Sequence, residues 1–278
     1  MQDNLLLHIG PQKTGTTWIY RNLSEHPEIS TSNSDKIHYY DIYFYRGQDW
    51  YLQQFTSNVG GKKFDPTFTY IRSPLAPKRI AQEYSKARMA LCMRNPIERA
   101  FSHYWHEKKK GTITFDFKDV LENYDLFASW IEPGFYAEHI ERYLEYFDSK
   151  QILAQRFERI TNEPKIFLQE LCEFYGIDSS YEFTWTDKKA NVARPRQNLL
   201  GRFEQKVIHG QEKLTSTTQR FTQPAVNMIK KWNETKNYEY ITNTDVDVLK
   251  ALYEICIPEI DRLEKMTNED LNDWKKYD

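Results

Sequence analysis

Long apolar runs are missing from this sequence. No stretch approaches the roughly 20 consecutive hydrophobic residues that a bilayer-crossing helix requires, which excludes a membrane span. Cysteine is scarce: the three present, Cys92, Cys172 and Cys256, are odd in number, far apart and without metal-ligand spacing. They read as buried free thiols in a reducing compartment, not as a disulfide framework or a zinc site. A surplus of positive charge is absent too, since 38 Lys and Arg against 40 Asp and Glu leave a net charge of −2, which argues against a general nucleic-acid binder. There is no internal repeat, low-complexity segment or Pro/Gly/Ser linker, so residues 1–278 are read as one domain. The first apolar run starts too close to Met1 for a signal peptide to precede it, and the expectation is a soluble, cytoplasmic protein. What is present suffices for a full core: 40% hydrophobic and 15% aromatic residues.

The organising stretch is Leu5 to Trp18. Leu5, Leu6, Leu7 and Ile9 form a short apolar run closed by Gly10-Pro11, the pattern of a buried parallel strand, and Thr14 to Thr17 supply hydroxyls and a glycine at the start of the next helix. Unpaired N–H groups at a helix start, with the helix dipole behind them, attract anions. The spacing from Gly10 to Gly15 matches the first two fixed points of a Walker A loop, yet Thr16 stands where the nucleotide-binding lysine belongs and the lysine sits at Lys13. An ordinary ATP or GTP site therefore fits poorly. Spacing alone is equally compatible with a plain strand-to-helix turn.

A second continuous apolar run, Met89 to Met93, predicts another strand buried on both faces, which places Arg94 at its carboxyl end, where open α/β sheets bind ligands. Asn95 can cap and Pro96 can begin the helix that follows. On that helix Ile97, Ala100, Phe101 and Tyr104 share an apolar face, while Glu98, Ser102 and His106 lie on another line at i, i+4 and i+8. Arg94 alone reads as a surface ion-pair partner; with Ser102 and His106 it can address one crevice. The fold expected is α/β, with the strands Leu5–Ile9 and Met89–Met93 adjacent or nearly so in a parallel sheet.

Elsewhere the segment from Lys36 to Tyr51 reads as loop and short helix whose aromatics either cover a core edge or grip an acceptor. An amphipathic helix from Gly134-Phe135-Tyr136 to Phe147, a strand at Ile152–Ala154, a helix at Pro164–Tyr175 and a last helix through Leu249, Leu252, Tyr253, Ile260 and Leu263, with Pro258 inside it, complete the pattern. Lys108 to Lys110 read as a solvated helix end that can also guide an anionic substrate. The basic loop Asn191 to Arg196 is either solvated or a lid.

Pro11-Gln12-Lys13-Thr14-Gly15-Thr16-Thr17-Trp18 resembles the 5′-phosphosulfate loop of sulfotransferases that use 3′-phosphoadenosine 5′-phosphosulfate (PAPS), and Arg94 to Ser102 resembles their 3′-phosphate motif. The chain is similar to bacterial sulfotransferases and to the sulfotransferase half of the heparan sulfate N-deacetylase/N-sulfotransferases. Gly47-Gln48-Asp49-Trp50-Tyr51, Phe64 to Tyr70, Ser73 to Ile80 and Asp270 to Trp274 extend the resemblance over nearly the whole chain. It implies a central parallel sheet flanked by helices in a P-loop-like nucleotide-binding fold. It further implies PAPS as co-substrate, PAP as product and no metal. Gln12, Lys13, Thr14, Gly15, Thr16, Thr17, Trp18, Arg94 and Ser102 would contact the nucleotide, and Arg194 and Arg196 would close over it. Lys13 would sit beside the oxygen bridging phosphorus and sulfur.

Two departures matter. Pro66 stands where the heparan sulfate enzymes carry a second substrate-side lysine, and Lys36 stands where the alignment places their acceptor-activating carboxylate. A protonated lysine accepts no proton, so the base is sought at His106, which matches a histidine those enzymes keep near the transferred group, then at His38 and Asp35, with Asp65 a further candidate. For each histidine the competing reading is a polar surface residue. The implied reaction is sulfuryl transfer to a hydroxyl or amine of an acceptor, a carbohydrate or other small alcohol, by in-line displacement with positioning and charge stabilisation as the means. The alternatives are a P-loop kinase or nucleotide hydrolase, against which Lys13 and Thr16 speak, and a non-catalytic nucleotide-fold domain, against which Lys13, Arg94 and Ser102 together speak.

Overall fold

The computed structural model describes residues 5–58, 60–186 and 246–276. Five parallel strands form one sheet in the order β2-β3-β1-β4-β5, where β1 is Leu5–His8, β2 Ile29–Thr31, β3 Lys62–Asp65, β4 Arg88–Met93 and β5 Ile152–Arg156. The two apolar runs of the sequence are the neighbouring strands β1 and β4, in a register that pairs Leu6 with Arg88 and His8 with Ala90. Because successive side chains of a strand point to opposite faces, Leu5, Leu7, Met89, Leu91 and Met93 enter one core, and Leu6, Ala90 and Cys92 enter another.

Helices cover both faces. Against the Leu6 face pack α1 (Thr16–Leu23), through Trp18, Ile19 and Leu23, and a long helix at Pro164–Tyr175, through Phe167, Leu168 and Leu171. The opposite face takes helices at Ala76–Glu83, Pro96–Lys110, Tyr136–Leu144 and Val246–Thr267, through Ile80, Ile97, Ala100, Ile140, Leu252, Ile260 and others. In chain order with the short helices Gln48–Leu52, Tyr124–Trp130 and Glu158–Asn162, these are α1 Thr16–Leu23, α2 Gln48–Leu52, α3 Ala76–Glu83, α4 Pro96–Lys110, α5 Tyr124–Trp130, α6 Tyr136–Leu144, α7 Glu158–Asn162, α8 Pro164–Tyr175 and α9 Val246–Thr267. None of the described helices is long and apolar enough to cross a membrane.

The start of α4 follows the sequence closely. Asn95 accepts from the N–H groups of Ile97 at 3.0 Å and Glu98 at 3.3 Å, and Pro96 takes the first helical position, where its missing N–H costs nothing. Other boundaries move: α6 ends at Leu144 and not at Phe147, and β5 runs on to Arg156. The strands β2 and β3 were not anticipated, being three and four residues long, the latter with two lysines. All three cysteines are buried and unpaired, and burial raises each thiol's pKa.

Candidate active site

The carboxyl ends of β1, β4 and β5 open onto one edge of the sheet, and a cleft of about 730 Å³ lies there. Three connections supply most of its lining. The loop after β1 supplies Gln12, Lys13, Gly15, Thr16, Thr17 and Trp18; the turn after β4 and helix α4 supply Arg94, Ser102, His103, His106, Glu107 and Lys110. The turn after β5 adds Phe157, whose N–H donates to the Met93 carbonyl at 2.6 Å and so ties two strand ends together.

The loop after β1 is shaped by close approach. Gly10 has φ +106°, and a Cβ there would lie 2.0 Å from the Phe68 carbonyl oxygen; Gly15 has φ +85°, and its Cβ would meet Ile160 Cδ1 at 2.5 Å. Lys13 adopts φ +74°, a conformation that L-residues hold at some cost, and it turns the side chain into the cleft. No side chain caps α1, whose first residues Thr16 and Thr17 line the cleft, so that end of the helix is left to attract an anion. Thr14 is an exception among the expected contacts: its buried hydroxyl donates to the Pro11 carbonyl at 2.7 Å, so the side chain fixes the loop and does not line the cleft.

Positive charge dominates the interior. Burial, then the Lys110 and Arg94 charges, lower Lys13 to about 8. Arg94 lies with its guanidinium 4.9 Å from the centre of the Phe157 ring and donates to Glu98 at 3.0 and 3.3 Å. That ion pair, with Glu98 largely exposed, is what the sequence offered as the alternative reading of Arg94; the structure shows the pair and the cleft position at once.

The candidate bases separate. His106 lines the cleft, and burial followed by the Lys13 and Lys110 charges holds its imidazole below the usual value, against the opposing pull of Glu107. Asp35 lines the opposite wall together with Lys36, whose ammonium lies 5.1 Å from the centre of the Phe68 ring. His38 does not line the cleft. Its Nδ1 is 3.2 Å from both Asp41 Oδ2 and Thr69 Oγ1, and its ring packs edge-on behind Phe68 at 6.5 Å. The side chain therefore has a structural occupation. Asp65 is wholly buried and accepts from the hydroxyls of Thr67 (2.6 Å), Tyr70 (2.8 Å) and Tyr51 (3.1 Å), which removes it from any contact with an acceptor. Burial raises its pKa, with those three donors opposing.

The aromatic segment divides in the same way. Tyr39, Tyr40 and Tyr51 are core residues, stacked or edge-on to one another, and the Tyr39 and Tyr40 hydroxyls approach the Glu83 carboxylate. Covering a core edge is thus the role of those three. Sequence reasoning missed His103, Glu107, Phe157 and Ile160 as cleft residues; Lys110, read as a solvated helix end that can also guide an anionic substrate, lines the cleft. His103 stacks on Trp130 with ring centres 5.0 Å apart, and burial and the Arg99 charge bring it down to about 3, so its imidazole stays neutral at physiological pH. Only the i+4 spacing of Ser102, His106 and Lys110 on α4 carried a signal for the last of these. Arg194 and Arg196, the expected lid, lie outside the described residues. Among the described residues no group of three or more His, Cys, Asp or Glu is placed to hold a metal.

Comparison with known proteins gives the family and the fold. The chain is 30% identical over 198 residues to bifunctional heparan sulfate N-deacetylase/N-sulfotransferase 1 of Xenopus laevis, an alignment covering 64% of this chain and 23% of that protein. With N-deacetylase/N-sulfotransferase 3 of Homo sapiens the identity is 32% over 198 residues, again 64% of this chain and 23% of the relative. The chain thus spans less than a quarter of the length of these relatives. A solved sulfotransferase from Alicyclobacillus acidocaldarius superposes with a TM-score of 0.69 over 98% of both chains at 20% identity, a likeness of fold. The sequence profile of the sulfotransferase domain matches residues 3–274, so nearly the whole of this chain belongs to the sulfotransferase family.

Proposed function

We propose that the protein moves a sulfuryl group from PAPS to a hydroxyl or amine of a carbohydrate or other small alcohol, releasing PAP, as a single cytoplasmic domain. The observation that carries this reading is the convergence of Lys13, the uncapped start of α1, Arg94, Ser102 and His106 on one cleft of about 730 Å³. That volume suits a nucleotide with room for an acceptor. Supporting a carbohydrate acceptor are the relatives named heparan sulfate N-sulfotransferases.

In this reading the 5′-phosphosulfate lies against the first turn of α1, where the N–H groups and the hydroxyls of Thr16 and Thr17 meet its oxygens. Arg94 and Ser102 take the 3′-phosphate, Arg94 exchanging an exposed carboxylate for a phosphate monoester. The acceptor heteroatom forms its bond to sulfur as the bond from sulfur to the phosphate oxygen breaks. Lys13 meets the charge growing on that departing oxygen, the point in the reaction where a fixed cation does most. His106 receives the acceptor's proton, its depressed basicity keeping it unprotonated at neutral pH.

Incubation with labelled PAPS and a panel of saccharides, phenols and small alcohols, read by mass shift, tests the proposal. PAP formation coupled to a sulfated acceptor is expected, with activity retained in EDTA. Turnover of ATP with strict dependence on Mg²⁺, and none of PAPS, would replace it by the kinase reading.

A further inference from the structure

The acceptor wall of the cleft carries Lys36 where a carboxylate was expected, and the only acidic groups among its described lining residues are Asp35 and Glu107. Glu107 follows His106 on α4, and its Oε1 lies 3.7 Å from His106 Nε2, too far for a hydrogen bond and close enough for charge to act. The carboxylate is held in place. Its Oε1 accepts from Lys110 Nζ at 3.0 Å and its Oε2 from the Thr112 hydroxyl at 2.7 Å, while the Thr112 N–H donates to the Glu107 carbonyl at 3.2 Å. Burial raises its pKa, but the bonds from Thr112 and Lys110 outweigh burial and take it below the usual carboxylate value. Such a group, with both oxygens engaged, is a poor proton acceptor.

It is, however, well placed to oppose the cations around His106. From the loop after β1 that imidazole faces Lys13, from the loop after β2 Lys36, and from its own helix Lys110; Glu107 is the acidic group acting against them. We propose that Glu107 is a positioning residue for His106, its fixed carboxylate stabilising the imidazolium that forms when the acceptor's proton arrives. This rests on the reading of His106 as the base. As sulfur changes partners, the acceptor's proton passes to the His106 imidazole, and the electron pair of the broken bond remains on the phosphate oxygen beside Lys13. One new positive charge thus appears 3.7 Å from a carboxylate, in a cleft otherwise rich in lysine. Without Glu107 that charge would form against three cations.

The test is an NMR pH titration of the His106 ring in the whole protein, its resonance assigned by its loss in His106→Gln. Glu107→Gln keeps the shape and the Thr112 contact but removes the charge, and should move the His106 midpoint down by roughly half to one pH unit. Lys110→Met removes an opposing cation and should move it up. Opposite shifts of this kind in two variants that melt like the parent are expected, and a midpoint unmoved by Glu107→Gln overturns the inference whatever Lys110→Met does. Turnover with PAPS separates the two levels. Unimpaired transfer by His106→Gln would sink the base reading whatever Glu107 does. A dead His106→Gln combined with a midpoint unmoved by Glu107→Gln would sink the role of Glu107 alone.

Discussion

Lys13 offers the sharpest test, because its protonation should change when the nucleotide binds. In the free protein burial and the neighbouring Lys110 and Arg94 charges bring it down to about 8. A bound 5′-phosphate supplies the missing counter-charge and restores the ammonium, raising the pKa toward or beyond its ordinary value near 10.4. The sign follows directly: the complex holds the proton more tightly than the free protein, so binding takes up protons. At pH 8 about half of the free molecules lack that proton, and binding should take up roughly half a proton per PAP, falling to a few hundredths at pH 6.5. Above pH 8 affinity should drop as pH rises, toward tenfold per unit while the complex stays protonated. Calorimetry of PAP binding at pH 8 in two buffers of different ionisation enthalpy reads the uptake, and Lys13→Met, which cannot titrate, should abolish it. A binding enthalpy independent of buffer at pH 8, or uptake undiminished in Lys13→Met, would refute the reasoning.

Arg94→Ala should weaken PAP binding about ten- to a hundredfold, since charge-assisted bonds are worth roughly 1.5–3 kcal/mol each and the exposed pair with Glu98 that must be given up is worth well under 1 kcal/mol. Calorimetry against adenosine 5′-phosphate, which has no 3′-phosphate, should show almost no loss, and equal losses for both nucleotides would count against the assignment. Gly15→Ala adds a Cβ 2.5 Å from Ile160 Cδ1 at φ +85°, so PAP binding should fall at least tenfold with a lowered Tm; a variant that binds and melts like the parent would show that the loop is not held as described.

Much of the site was legible because two of its strands advertise themselves. β1 and β4 are buried on both faces, so their sequences are apolar apart from His8 at the end of β1 and Arg88 at the start of β4; Arg94 is then placed just past a carboxyl end by position, whereas Lys13, in the loop beyond β1, took the resemblance to give it a role. Asn95 and Pro96 mark the start of α4 by local chemistry. What stayed hidden depends on distant partners. β3 is a strand because β1 offers it an edge and β2 because β3 in turn offers one, and nothing in IST or KKFD says so. His38 and Asp65 carry the chemistry of bases, yet Asp41 and Thr69 occupy the one and three hydroxyls from Tyr51, Thr67 and Tyr70 the other. Glu107 escaped because a carboxylate in the charged run that ends α4 looks like any solvated residue until Lys110 and Thr112 are seen to fix it.

The contact between Gly10 and Phe68 has an engineering consequence. The Phe68 carbonyl fills the space a Gly10 side chain would need, and two residues beyond the Phe68–Thr69 pair the Ile71 N–H donates to the Ile9 carbonyl at 3.0 Å. The Phe68 segment, which lines the cleft, is thus riveted to the loop after β1, and in the proposed reaction neither can be redesigned alone without disturbing the alignment of three atoms in a displacement. Adaptability is left to Asp35 and Lys36, which line the cleft beside Phe68 and are tied to no part of the loop after β1 by any described hydrogen bond. Libraries at those two positions should shift acceptor preference at constant PAPS KM, whereas insertions next to Phe68 should impair both substrates; selectivity changes that always carry a PAPS penalty would show that the walls are one unit.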